Sequence, residues 1–182
     1  MKIKETALKY TYEDYLALED DENRYELIDG SLYMMTMPSW QHQKISGGLF
    51  YQLYHFLKGK PCDVYHPPFD VRLSNNTVVQ PDIMVVCDKS KLGDRGCKGA
   101  PDMIIEILSP SSIRHDTITK LNKYLQAGVR EYWVVNPEDK IVNVHTLDDD
   151  KYITKVYSDE DTVAVHVLDG CVLDMREVFT EI

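Results

Sequence analysis

Residues 103–136 constrain the fold of this chain more than any other stretch. "MIIEIL" (103–108) is a nearly unbroken apolar run bounded by Pro101 and Pro110, which reads as a strand buried on both faces. Residues 112–127 read as a long helix that Gly128 ends at its C-cap. "EYWVVN" (131–136) reads as the next strand. A crossover of this length can join parallel strands. One residue does not fit. Glu106 stands in the middle of the first strand, and an ionised carboxylate without partners is too costly to bury. It must be paired, metal-bound or protonated.

The flanking sequence extends the sheet. "YELIDGSLYMMT" reads as two strands joined by Asp29-Gly30, a strong hairpin signal. Strands are expected near 62–65, 68–73, 82–87, 141–146, 152–157 and 163–168, with a short helix at the C-terminus. Residues 11–20 read as a short helix capped by Thr11. Residues 39–58 read as an amphipathic helix with Ser39 as its cap and Ile45, Leu49, Leu53 and Leu57 on its apolar face. This order predicts an α/β fold: a mixed central sheet flanked by helices, with additional N- and C-terminal hairpins. With 182 residues and no linker or repeat, 1–182 is expected to be one domain.

Composition narrows the function classes. There is no secretory h-region and no apolar run near the roughly 20 residues of a membrane span. Cys62, Cys87, Cys97 and Cys171 form no CxxC pair or zinc-like spacing. A cytoplasmic protein with reduced core thiols and no membrane partner is therefore expected. The net charge of −10 argues against nucleic acid at first sight. The charge is uneven, however. Acids gather in "EDDE" (19–22), "DDD" (148–150) and "DED" (159–161), which read as solvated turns. Residues 38–62 contain no acid and three lysines, and residues 103–130 carry two acids against four bases.

A second carboxylate opens the earlier core strand: Asp82 in "VVQPDIMVV". If the two strands are neighbours, Asp82 and Glu106 converge at one sheet edge. Two carboxylates suit Mg²⁺, which binds through one or two of them together with water and phosphate. Lys120, on the helix that leaves the Glu106 strand, is the cation placed to reach that edge. The apolar face of that helix centres on Ile118, Leu121, Tyr124 and Leu125. Lys120 then falls on its flank, while Asp116 and Lys123 fall toward solvent. Asp102 reads as a turn residue. His42, early in its basic, aromatic-rich helix, reads as a surface or satisfied residue, with a place facing a phosphate or the site as the alternative. Trp40, Tyr51 and Tyr54 could stack on bases or belong to the core.

"RYELIDGSLYMM" (24–35), "QPDIMVV" (80–86), "GAPDMIIEILSPSS" (99–112) and "DTITKLNKYLQAGVREYWVVNP" (116–137) together resemble the Uma family of restriction-endonuclease-like proteins, within the PD-(D/E)XK nuclease superfamily. The resemblance spans about residues 11–180. It implies a restriction-endonuclease-like core and an endonuclease that hydrolyses phosphodiester bonds, most simply in DNA, with Mg²⁺ or Mn²⁺. By that resemblance Asp82 and Glu106 are the metal ligands, and Glu26 is an upstream acid that can join the metal shell or act as base. The motif lysine belongs two residues after Glu106, where this chain has Leu108. Similar superfamily members carry that lysine on the following helix, and Lys120 matches that position. A homodimer is expected by analogy, because cutting both strands usually takes two sites. The alternative is a catalytically inactive member that binds nucleic acid or protein.

Overall fold

The computed structural model describes residues 9–18, 23–110 and 112–182. The chain runs through α1 (Tyr12–Leu16), β1 (Tyr25–Ile28), β2 (Ser31–Met34), α2 (Trp40–Leu57), β3 (Asp63–Tyr65), β4 (Asp70–Ser74), β5 (Thr77–Val79) and β6 (Ile83–Val86). It continues with β7 (Leu92–Gly93), β8 (Gly96–Lys98), β9 (Met103–Ile107), a π-helical turn (His115–Lys120) leading into α3 (Leu121–Ala127), and β10 (Glu131–Asn136). The last elements are β11 (Ile141–Asp148), β12 (Lys151–Ser158), β13 (Thr162–Ala164), β14 (Val172–Asp174) and α4 (Met175–Val178).

Local chemistry sets these boundaries. The Thr11 hydroxyl accepts from the Asp14 N–H, and the Asp14 carboxylate accepts from the Thr11 N–H, a capping box that starts α1. Ser39 caps α2 by accepting from the His42 N–H. Asp29 and Gly30 both take positive φ, 52° and 79°, as the two-residue hairpin turn between β1 and β2 requires. The end expected for the first helix and the acidic turn 19–22 lie outside the described residues.

The central sheet has the order β12-β11-β10-β9-β6-β3. β9 and β10 pair in parallel, as the crossover length predicts, and the other pairs are antiparallel. The sheet is therefore mixed, in agreement with the expected class. A second six-stranded sheet, β2-β1-β5-β4-β8-β7, was not anticipated as a separate layer. Three of its strands, β5, β7 and β8, have two or three residues each, too few to show a period. The strand expected at 163–168 is shorter. The chain turns after Ala164 and returns as β14, giving a small C-terminal hairpin.

β9 separates two cores. Met103, Ile105 and Ile107 face Ile45, Leu49 and Leu53 of α2 and the C-terminal segment. Ile104 and Leu108 face Tyr124 of α3 together with Ile28, Val71 and Val79 of the second sheet. Period 2 places Glu106 on this second side.

Two expectations need correction. Cys62 and Cys87 are joined in a disulfide rather than reduced; one step beyond the Asp63↔Val86 pairing of β3 and β6, the two cysteines fall opposite each other. Cys97 and Cys171 are buried free thiols. The helix after β9 also presents a different face. Ile118 is 55% exposed, whereas Asp116 and Lys120 are buried. The π-helical turn closes i→i+5 rather than i→i+4 bonds, so the 100° step used to phase the helix does not hold there. Pairing of Lys120 with the inward-facing Glu26 and Glu106, and of Asp116 with Lys120, then decides which side turns in. Among the described residues, no helix is long and apolar enough to cross a membrane.

Candidate active site

Extending the β6–β9 register by one step places Asp82 opposite Glu106, on the same face of the sheet. Their strands are neighbours, as the convergence of the two carboxylates requires. Asp82 Oδ2 accepts the Ile107 N–H at 2.8 Å and lies 3.0 Å from His42 Nε2. Glu106, 3% exposed, accepts on Oε1 from Lys120 Nζ at 2.9 Å and from the Tyr124 hydroxyl at 2.7 Å.

Lys120 is the centre of a buried charge cluster. Its Nζ lies 2.9 Å from Glu106 Oε1, 2.9 Å from Glu26 Oε1 and 3.3 Å from Asp116 Oδ1. Glu26 comes from β1 of the second sheet and also accepts the Gln80 N–H at 2.9 Å. Gln80 is in turn fixed on several sides: its side-chain amide donates to Asp70 and the Tyr15 hydroxyl, and its carbonyl accepts from Arg24. The residue before the "PD" element therefore ties both sheets and α1 to the site.

The protonation states follow from this packing. Burial pushes the Glu106 carboxyl well above the usual range; Lys120 pulls it down, and Asp116, Asp82 and Glu26 push it up again. Asp116 is raised chiefly by burial, against the pull of Lys120. Burial alone would lower Lys120, but the three carboxylates together outweigh it and hold the ammonium well above its ordinary value. Tyr124, raised by burial and by Glu106, stays a neutral donor. One buried cation faces three buried acids, so the cluster is short of positive charge.

Glu26, Asp82, Glu106, Asp116 and Lys120 line a cleft of about 900 Å³ that also includes His66, His115, Arg24 and Arg114. Among the described residues, no three His, Cys, Asp or Glu side chains are gathered as a ready-made metal cage. Mg²⁺ does not need one, because it keeps several waters and binds through one or two carboxylates and substrate phosphate. The hydrogen bonds to Asp82 fall on Oδ2 and those to Glu106 on Oε1. A hard cation at the remaining oxygens also answers the charge deficit, so the donor set fits one.

Every residue singled out in the sequence, Glu26, Asp82, Glu106 and Lys120, falls in this cleft. Two further residues belong to the candidate site. His42 contacts Asp82; its spacing of three and seven from Ile45 and Leu49 was the available signal that it faces inward. Gln80 gave no signal, since its role depends on contacts 54–65 residues away in sequence. Of the lysines and arginines in the basic stretches 38–62 and 103–130, Arg114 and Lys120 line the cleft. Lys44 pairs with Glu181, Lys123 with Asp29 and Arg130 with Asp102. Asp102, which also accepts the Cys87 N–H at 2.6 Å, is structural as expected.

Residues 12–176 match the family described as "Uma2: Putative restriction endonuclease". The chain belongs to the Uma2 family. A protein of Synechocystis sp., described as uncharacterized, is 26% identical over 145 residues, covering 78% of this chain and 76% of the relative. A crystal structure from Anabaena variabilis, titled a putative nuclease belonging to DUF820, matches with a TM-score of 0.78 at 21% identity. The match covers 93% of this chain and 97% of the other. At that identity the likeness establishes the fold. Family and fold together give this Uma2 member a nuclease-like architecture.

Proposed function

We propose that this Uma2 chain is a single-domain, divalent-metal-dependent endonuclease that hydrolyses phosphodiester bonds in DNA. The observation that carries the reading is Asp82 set opposite Glu106 at the foot of the cleft, with Lys120 Nζ 2.9 Å from Glu106. Asp82, Glu106 and the Ile107 carbonyl are the groups that would hold Mg²⁺ or Mn²⁺. When bound, the cation polarises a phosphoryl oxygen and lowers the pKa of a water. Lys120 is held as the ammonium, so it donates and does not accept a proton. Its role is to orient the attacking water or to stabilise charge developing on the phosphate. Glu26 acts through Lys120, holding Nζ toward Glu106, and is a positioning residue. His42 does the same for Asp82 Oδ2. A homodimer would supply two such sites for cutting both strands.

Incubation of plasmid and single-stranded circular DNA with Mn²⁺ tests the reading. Nicking or cutting is expected, with loss in Asp82→Ala and Lys120→Ala. Undiminished cutting in Lys120→Ala removes Lys120 from the mechanism. In thermal shift, Mn²⁺ at about 100 times its Kd should stabilise the protein by about 2.7 kcal/mol. A shift that survives loss of both Asp82 and Glu106 refutes the metal assignment. The silent-binder alternative draws on Leu108 and on the engagement of Lys120 by three acids; it predicts DNA retention without cutting.

A further inference from the structure

The acids lie at the foot of the cleft, and its walls carry a different chemistry. At 100° per residue, Trp40, Gln43, Gly47, Phe50 and Tyr54 fall on one stripe of α2. Gln43, Gly47 and Phe50 line the cleft. Trp40 and Tyr54 are 62% and 58% exposed. The Phe50 ring stacks on Tyr54 with centroids 6.0 Å apart and meets His66 edge-on at 4.9 Å. A second ring pair, Tyr33 and His115 at 4.3 Å, comes from β2 and the π-helical turn and lines the same cleft.

Gly47 is the least expected residue of this wall. It stands inside an 18-residue helix, where glycine costs about 1 kcal/mol relative to alanine. A Cβ at Gly48 would face Val178 of α4, with its Cα 3.4 Å away, so that glycine lies against the C-terminal helix. A Cβ at Gly47 would meet no atom of this chain within 4 Å. Nothing in the packing of the described residues calls for glycine there. It leaves bare helix backbone on the cleft wall, where a ligand can come close. One turn earlier, His42 is 9% exposed and lines the same cleft, and its Nδ1 is buried with no partner.

The cleft is poor in free cations. Lys120 is surrounded by acids and Arg24 is held by Gln80, which leaves Arg114 at the rim. Binding of duplex DNA depends on neutralising many backbone phosphates with Lys and Arg. An unpaired strand can instead draw affinity from stacking of its bases on aromatic rings. The volume is that of a small-molecule pocket, with room for a few nucleotides rather than a turn of duplex.

We propose that the cleft takes an unpaired DNA strand, such as a single-stranded end, flap or loop. Its bases stack on the ring stripe of α2, and its backbone passes over Gly47 toward Asp82 and Glu106. This inference rests on the nuclease reading above and gives that site its substrate class.

Fluorescence anisotropy without metal, using labelled oligo(dT) and a blunt duplex of the same length, tests it. Oligo(dT) should bind about tenfold tighter, and Trp40→Ala should weaken it by about tenfold. Gly47→Leu separates folding from binding. Leucine is a better helix former, so the melting temperature should hold or rise while oligo(dT) binding falls by about tenfold. Equal or tighter binding of the duplex overturns the inference. So does Gly47→Leu with unchanged oligo(dT) binding. Mn²⁺-dependent cutting of duplex that persists in Gly47→Leu overturns it and leaves the nuclease reading standing. Selective oligo(dT) binding without cutting of any DNA supports it and removes the nuclease reading.

Discussion

Replacing Lys120 with methionine is the sharpest perturbation of this molecule. The side chain keeps most of its volume and loses its charge. In the folded protein Lys120, Glu26, Glu106 and Asp116 have side chains between 4% and 6% exposed. Removing one partner of a buried ion pair costs about 3–5 kcal/mol, because the charge left behind is uncompensated. Here one substitution strands three carboxylates, so the upper half of that range is expected near pH 8. In a chain of this size that corresponds to a fall of about 10–15 °C in melting temperature. The deficit depends on pH with a definite sign. Glu106 and Asp116 already lie above their ordinary values through burial, with Lys120 pulling both down. Without Lys120 both rise further. A folded-state pKa above the unfolded one gives stability that is present at low pH and lost as pH rises through the folded value. The deficit should therefore shrink from about pH 8 to about pH 5, as the stranded acids take up protons. Urea unfolding followed by the fluorescence of buried Trp133 measures it at each pH. A deficit under about 1 kcal/mol at pH 8, or one that grows on acidification, refutes the reasoning.

Three further outcomes are expected. Glu106→Gln keeps acceptors for Lys120 and Tyr124 but relieves the excess negative charge, so it should raise the melting temperature by about 2–6 °C while abolishing Mn²⁺-dependent cleavage. Glu131 is fully buried and accepts from Trp133 Nε1 at 2.7 Å and the Val167 N–H at 2.9 Å. Glu131→Ala strands both donors and should cost about 2–5 kcal/mol in urea unfolding, without changing the metal response. A Cβ at Gly96 would lie 2.0 Å from the Asp70 carbonyl oxygen, so Gly96→Ala should separate β4 from β8 and speed amide exchange in both strands.

Much of the site was legible because its key residues break local rules. A glutamate in an apolar run must have partners, and a carboxylate opening the earlier core strand pointed to Asp82 as its counterpart. The strand–helix–strand spacing fixed the parallel β9–β10 pair. What escaped depended on contacts between distant segments. Gln80 has no periodic signature, and its importance comes from bridging α1, β1 and β4. The second sheet is built partly from strands too short for period 2 to register. The helix after β9 opens with a π-helical turn, which does not follow 100° per residue. The disulfide depends on β3 and β6 being neighbours in register, and the spacing of Cys62 and Cys87 alone does not show that.

The Leu108 departure has a physical reading that can be tested by moving the charge. Side chains two apart on a strand share a face, so a lysine at 108 would lie beside Glu106. Leu108 instead is 8% exposed and packs with Ile104 and Tyr124. Lys120 brings its ammonium to Glu106 from the helix, which leaves position 108 free to fill the core. If the requirement is one cation at Glu106, whichever element supplies it, then Leu108→Lys and Lys120→Met should compensate. Each single variant is destabilised, the first by burying a lysine stem where Leu108 makes core contacts, the second by stranding three acids. The double variant should be more stable than Lys120→Met alone, with a coupling of about 1–3 kcal/mol in a double-mutant cycle. Additive losses would show that the position of Lys120 on the helix matters beyond its charge, since only from there does it bridge Glu26 and Asp116 as well.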